Sequence, residues 1–240
     1  VNGWAFFAMA GIVTLAYVIG EVIRFNIRYG EPLLNSPQAP PSLLNLERLS
    51  SLVLSVAYVI SVAFYLRLLA SFILHTMEVE SDFYANLLTT GVLLSIALIG
   101  LWRGLEGLEN LEESAVNINL AMITALLLGL IGYDLNWLAQ PENQVNYTPL
   151  ADWPNSMRLL AGILLIVQGF ETSHYLGAEY DAKTRIRTMR YAQLLSAAIY
   201  LLFIGLSLPL LNGYHEPRSE TAIITLSAMV SPLLPAILIV

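Results

Sequence analysis

Long apolar runs separated by short polar connections organise this chain of 240 residues. A helix that crosses a bilayer needs about 20 predominantly apolar residues. Runs of that kind fall at 3–23, 49–74, 84–102, 115–135, 157–180 and 190–211, and a last one begins near 233 and is cut at Val240. The stretch Ser219–Ser231 fits two descriptions. Ile223, Ile224, Leu226 and Val230 recur at helical spacing, with Glu220, Thr225 and Ser227 between them. That pattern suits a short amphipathic helix at the membrane surface, separated from the next span by Pro232. One continuous span from Thr221 meets the length rule equally well. The whole pattern predicts an all-α integral membrane protein, with residues 1–240 in a single transmembrane domain.

One of these runs is interrupted. Met157–Val167 is apolar and long enough for half a span, and it leads into Gln168, Gly169, Phe170, Glu171, Thr172, Ser173 and His174. Each unsatisfied polar group costs several kcal/mol in hydrocarbon, so this cluster must face protein or water. The segment 168–173 is therefore expected to be non-helical and turned to the protein interior. Gly169 is the natural hinge, because a helix break often needs positive φ or close backbone approach. An interrupted span is also the sequence pointer to a transporter binding site near the bilayer midplane.

The basic residues set an orientation. Arg24, Arg28 and Arg48 flank the first connection, Arg103 lies in the next loop on that side, and Lys183, Arg185, Arg187 and Arg190 crowd the third. The opposite side holds Arg158 and Arg218 among Glu78, Glu80, Asp82, Glu142, Asp152, Glu216 and Glu220. The positive-inside rule places the first set in the cytoplasm and the loop Asn136–Ser156, with Trp137 and Trp153, outside. That orientation puts Val1 outside, directly before a span, so at least one upstream span and a continuation past Val240 are expected.

Composition narrows the chemistry. Hydrophobic residues make up 57% and charged residues 12%, where soluble domains average about 25% charged. Mean hydropathy is +0.67. The chain has no cysteine, and His75, His174 and His215 lack metal-ligand spacing. Neither a phosphate-binding glycine loop nor a nucleophile elbow is present, so no enzymatic activity is expected. The proline-rich connection Glu31–Glu47 carries no visible chemistry. Glu106, Glu109, Glu112 and Glu113 read as a solvated helix start, favoured by the helix dipole. Asn117 and Asn119, two residues apart, face different sides of their helix. Arg67, well inside a span, either snorkels to the outer interface or pairs with a carboxylate such as Glu171.

Several of these features, taken in order, resemble the amino acid–polyamine–organocation (APC) superfamily. Gly169-Phe170-Glu171 in a broken span, before a basic cytoplasmic turn, is similar to its sixth transmembrane helix. Trp102-Arg103-Gly104 is similar to the turn between its helices four and five, and Gly20-Glu21 to a pattern at the end of helix two. Pro209-Leu210 and Glu220-Thr221-Ala222-Ile223-Ile224 look like the end of helix seven and the external loop before helix eight. The resemblance runs from helix two to the start of helix eight. It leaves out the glycine-rich break of helix one and helices nine and ten.

The resemblance implies a LeuT-like fold, a five-plus-five inverted repeat, here truncated at both ends. It implies a secondary transporter in the plasma (inner) membrane, with alternating access and ion coupling or exchange. The implied partners are a small-molecule substrate, an amino acid or related amine, and the lipid bilayer, with no nucleic acid. No cofactor is implied beyond H+ or Na+ as coupling ion. Some proton-coupled members carry a lysine in helix five where this chain has Asn119, which leaves the ion open. A histidine such as His174 can titrate near neutral pH and would suit proton coupling, but the favoured reading is a histidine satisfied by a neighbouring helix. The implied substrate-binding residues are Gln168, Gly169, Phe170, Glu171, Thr172 and Ser173, with Phe170 as gate or packing wall and Glu171 bracing the break. Tyr58, mid-span in the third family helix, would close the site. The rival classes are a seven-helix receptor, against which the missing cysteine pair and the missing Asp-Arg-Tyr-like turn stand, and a non-transporting membrane scaffold.

Overall fold

The computed structural model describes residues 4–77, 79, 81–139, 153–212, 222–232 and 234–235. Most of the loop Asn136–Ser156, the segment 213–221 with His215 and Arg218, and the end of the last apolar run lie outside the described residues. Among the described residues every regular element is helical. They are α1 (Trp4–Phe25), a π turn (Asn26–Gly30), α2 (Glu31–Leu34), α3 (Pro41–Thr76), α4 (Asp82–Leu138), α5 (Trp153–Ile166), a 3₁₀ segment (Phe170–Leu176), α6 (Ala182–Asn212) and α7 (Ala222–Val230).

Five helical stretches are long and apolar enough to cross a membrane: Trp4–Leu34, Pro41–His75, Asp82–Gly104, Glu109–Leu138 and Ala182–Leu211. The protein is a multi-pass integral membrane protein. The apolar runs at 49–74, 84–102, 115–135 and 190–211 lie inside four of these, and the described part of the run 3–23 lies inside the first. At 1.5 Å per residue the 14 residues of α5 reach only about 21 Å, less than the ~30 Å hydrocarbon core. The 7 residues of the 3₁₀ segment add about 14 Å at 2.0 Å per residue. The broken run thus has the length of one span only when both pieces are counted.

The chain divides into two compact units. The first comprises Val1–Leu54 and Gln144–Asn212, the second Ser55–Asn143 and Gly213–Val240, so the boundary runs through α3.

In the first unit α1 packs against α5 and α6. Met9, Ile12 and Val13 are buried against Leu160, Ile163, Leu164 and Val167 of the α5 side and Ala197, Tyr200, Leu201 and Ile204 of α6. Nearer the basic end the same interface turns polar. Arg24 is 3% exposed and donates through Nη1 to Gln193 Oε1. Gln193 Nε2 donates to Ala16 O at 2.9 Å. Glu21 balances the charge at 3.0 Å from Arg24 Nη2, and the Tyr17 ring lies 4.9 Å beneath the guanidinium. Gly20 makes room for this arrangement: a Cβ there would stand 2.2 Å from Gln193 Oε1.

In the second unit the end of α3 and the start of α4 are tied by Arg67, which donates to Asp82 and, at 3.0 Å, to Asn86 Oδ1. Asp82 opens α4 and is 90% exposed, so Arg67 reaches along α3 toward the connection between the two helices. Asp82 and Asn86 thus occupy the place for which Glu171 was one candidate. α4 is interrupted at Gly104, where φ is 63° and ψ −155°, the place where the charge pattern set a turn between two spans. Glu109, Glu112 and Glu113 beyond it are exposed. α7 packs on α4, with Ile224, Leu226 and Ser227 buried. It ends at Val230, and Ser231 and Pro232 are non-helical, which favours a separate short helix over a continuous span. A Cβ at Gly129 of α4 would stand 2.9 Å from Leu234 Cδ1 and 3.4 Å from Val230 Cγ1.

The close approach at Gly20 gives a direct test. Gly20→Leu should destabilise the protein by about 1–3 kcal/mol, the usual cost of overpacking. Gly11→Leu, on the same helix where a Cβ would meet nothing within 4 Å, should be tolerated. Thermal unfolding in detergent distinguishes the two, and equal midpoints would show that Gly20 does not set the α1–α6 distance.

Candidate functional site

The interruption lies between α5 and the 3₁₀ segment, at Val167, Gln168 and Gly169. Gly169 has φ 115° and ψ −23°, a conformation that a side chain strains and glycine adopts freely. A Cβ there would meet nothing within 4 Å, so the requirement for glycine is conformational, not steric crowding. The non-helical stretch is shorter than expected. Residues 170–173 are not unwound but form the first part of the 3₁₀ segment, because its shorter hydrogen-bonded rings let the backbone resume pairing at once.

The groups released by the break are taken up locally. The Val167 amide donates to the carbonyls of Ile163 and Leu164, each at 3.3 Å. Tyr200 of α6 donates its hydroxyl to Ile166 O at 3.2 Å. Glu171 Oε2 accepts the Gly169 amide at 2.9 Å. The Thr172 hydroxyl and amide donate to Gly169 O at 2.7 and 3.3 Å. Glu171 thus braces the break, as expected of it. Gln168, Gly169 and Thr172 are exposed within this unit, and Phe170, Glu171 and Ser173 are half-buried. The structure places these six together around one bend. Tyr58 stands on α3 in the second unit.

Below the bend lies an ionic cluster that the sequence alone did not disclose. Arg185 of α6 is 4% exposed and reaches Glu31 of α2 with both ends of its guanidinium, at 2.8 and 2.6 Å. The same Nη1 donates to the carbonyls of Ser173 and His174 at 3.2 and 3.0 Å, and Nε donates to Tyr180 O at 3.1 Å. Gly177 lies against the guanidinium, where a Cβ would stand 3.4 Å from Nη2, an ordinary contact distance. His174 lies between two carboxylates, with Nε2 3.0 Å from Glu47 Oε1 and Nδ1 2.9 Å from Glu31 Oε1. It is therefore held by residues of neighbouring elements. Glu31 and Glu47 both belong to the proline-rich connection that had shown no chemistry. The signal was weak because the partners are 154 and 127 residues distant in sequence.

The cluster holds the 3₁₀ segment to α2, α3 and α6, which fixes the bend from the side of the basic turn. Asp181 completes the frame by accepting the Thr184 amide at 3.4 Å, which caps α6. The Thr184 hydroxyl and the amides of this first turn hold its carboxyl below the ordinary range. The described residues contain no group of three or more His, Asp or Glu arranged to hold a metal ion.

A family model described as an APC superfamily transporter matches residues 1–240. The chain is also 42% identical over 233 residues to an uncharacterized protein of Aquifex aeolicus (strain VF5). That alignment covers 95% of this chain and 56% of the relative, so the chain spans about half of the relative's length. No solved structure matches the chain.

The Arg185–Glu31 pair yields a double-mutant cycle. Arg185→Gln and Glu31→Gln should each destabilise by about 3 kcal/mol, because each leaves a largely buried charge without its partner. The double variant should lose much less than the sum. Additive losses, measured by thermal unfolding in detergent, would show that the two residues act independently.

Proposed function

The chain belongs to the APC superfamily of transporters, and on that premise we propose that it is part of a secondary transporter for amines or amino acids, with its substrate at the bend of residues 168–173. The observation that carries the proposal is Gly169, held at φ 115° between α5 and the 3₁₀ segment of one apolar run. A break of this kind is retained in a bilayer only where it faces protein or a water-filled cavity.

The charge around the bend favours an ammonium group. The C-terminal end of α5 carries the partial negative charge of its helix, and the Glu171 carboxylate lies beside it. Arg185, the cation that reaches the Ser173 carbonyl, is neutralised by Glu31. Gln168 and Ser173 supply neutral hydrogen-bonding groups suited to a carboxylate or a water shell. The Gly169 amide and carbonyl are already engaged by Glu171 and Thr172, so these two side chains shape the site more than its backbone does. Phe170 is the apolar wall.

In this reading the chain is a portion of a LeuT-like five-plus-five inverted repeat in the plasma (inner) membrane. The cluster of Arg185, Glu31, His174 and Glu47 ties the 3₁₀ half to its neighbours, so that half moves with α6 during alternating access. Coupling is to H+ or Na+, or is replaced by exchange.

Uptake of a labelled panel of amino acids and amines by liposomes holding the full-length protein, under pH or sodium gradients, tests the function. Ammonium-bearing compounds should accumulate, and accumulation of none of them would refute the proposal. Gly169→Leu should abolish uptake while expression and insertion persist, and Gly129→Leu should act only through packing and stability. Normal uptake by Gly169→Leu would remove the substrate from this bend.

The orientation is tested separately. A single cysteine replacing Asn143 should be labelled by an impermeant reagent from outside intact cells, and one replacing Lys183 only after permeabilisation. The reverse pattern would invert the topology.

A further inference from the structure

A second feature of the first unit lies apart from the bend. Arg28, in the π turn after α1, faces the first turns of α6 across a cleft of about 490 Å³ lined also by Ala182, Lys183, Ile186, Arg187, Arg190 and Tyr191. Four of the chain's 11 lysines and arginines therefore line one opening, in a chain whose net charge is −7. Among the described residues Arg28, Lys183 and Arg187 have no carboxylate partner, and Arg190 meets Glu21 only at 3.4 Å. The neighbouring acid Asp181 is engaged in capping α6. Like charges gathered this way repel one another unless an anion joins them.

The form of the opening points to a particular anion. Arg187 lies over the Tyr191 ring, 5.5 Å from its centroid. Stacking occupies the flat face of the guanidinium and leaves its N–H edge for an oxyanion, the geometry that pairs with phosphate. The remaining wall is apolar, from Ala182, Ile186 and the Tyr191 ring. Arg28 follows the apolar run 3–23, and Lys183 and Arg187 precede the run 190–211. The cleft thus sits where apolar spans give way to the basic connections, at the level of lipid headgroups.

We infer that this cleft binds the phosphate of an anionic phospholipid, with Arg28, Lys183 and Arg187 holding the headgroup and Ile186 and Tyr191 facing the start of the acyl chains. Basic pockets between membrane helices on the cytoplasmic side are suited to such headgroups. Free inorganic phosphate shares the oxyanion but lacks the chains that the apolar wall would cover. The inference does not depend on the substrate or on transport.

The test is binding to the purified full-length protein in detergent. Short-chain phosphatidylglycerol, phosphatidylcholine and inorganic phosphate are titrated separately, with the unfolding midpoint and native mass spectrometry of retained lipid as readouts. Phosphatidylglycerol should raise the midpoint and be retained, and the other two should do neither. Each cation removed should weaken its binding about fivefold, so the triple variant Arg28→Gln/Lys183→Gln/Arg187→Gln should lose about a hundredfold. Arg48→Gln, which removes a charge outside the cleft, should bind as the parent does. Should the triple variant fold poorly, Lys183→Gln and Arg187→Gln alone should each show the fivefold loss. Equal binding of phosphatidylcholine, equal stabilisation by phosphate alone, or unchanged binding by the cleft variants would each overturn the inference.

Discussion

A helix can be opened inside a bilayer only if the backbone groups it releases find partners, because hydrocarbon offers none. The rest of the first unit is arranged around that requirement at Val167–Gly169. Glu171 and Thr172 close on Gly169 from one side of the break. Tyr200 reaches from α6 to the carbonyl of Ile166 on the other. One glycine, one carboxylate and two hydroxyls thus convert a costly interruption into a defined bend. The Glu171 carboxylate and the Thr172 hydroxyl answer the same need, since apolar side chains could not have satisfied the Gly169 amide and carbonyl.

The bend is fixed at a distance by charge. Arg185 joins Glu31 while donating to the carbonyls of Ser173, His174 and Tyr180. A buried cation is strongly unfavourable alone. Here its acceptors are spread over α2, the 3₁₀ segment and Tyr180, so the ion pair and the backbone are satisfied together. Arg24 uses the same device between α1 and α6, with Gln193, Glu21 and the carbonyl of Tyr17. Two arginines of the basic turns therefore serve the packing of the unit. Arg28, Lys183 and Arg187 remain at its surface with their charge uncompensated by carboxylates among the described residues.

Much of the architecture was legible in the sequence because the bilayer imposes a coarse and strict rule. Length and hydropathy located the apolar spans, Gly104 marked the turn inside the Asp82–Leu138 stretch, and Gly169 announced a positive φ. The cluster of polar residues at 168–174 could be recognised because nothing but an internal site excuses it. What could not be read were pairings between distant segments. His174 reads from the sequence as a histidine held by a neighbouring helix, and the carboxylates beside it belong to Glu31 and Glu47 of a proline-rich connection. Arg67 was given Glu171 as a candidate partner, and it has Asp82 and Asn86, which follow it in the adjacent hairpin.

The sequence by itself thus determined that the chain crosses a membrane and where one apolar run must break. Those properties depend on local composition and on the conformational freedom of single glycines. The tertiary structure decided which side chains satisfy the break, how short the unwound stretch is, and which carboxylates neutralise the buried arginines. The break is closed by near neighbours and by Tyr200 of α6, whereas contacts such as Glu31 with Arg185 and Gly20 with Gln193 join residues more than a hundred positions apart, which only the packing of α1, α2 and α6 brings within reach.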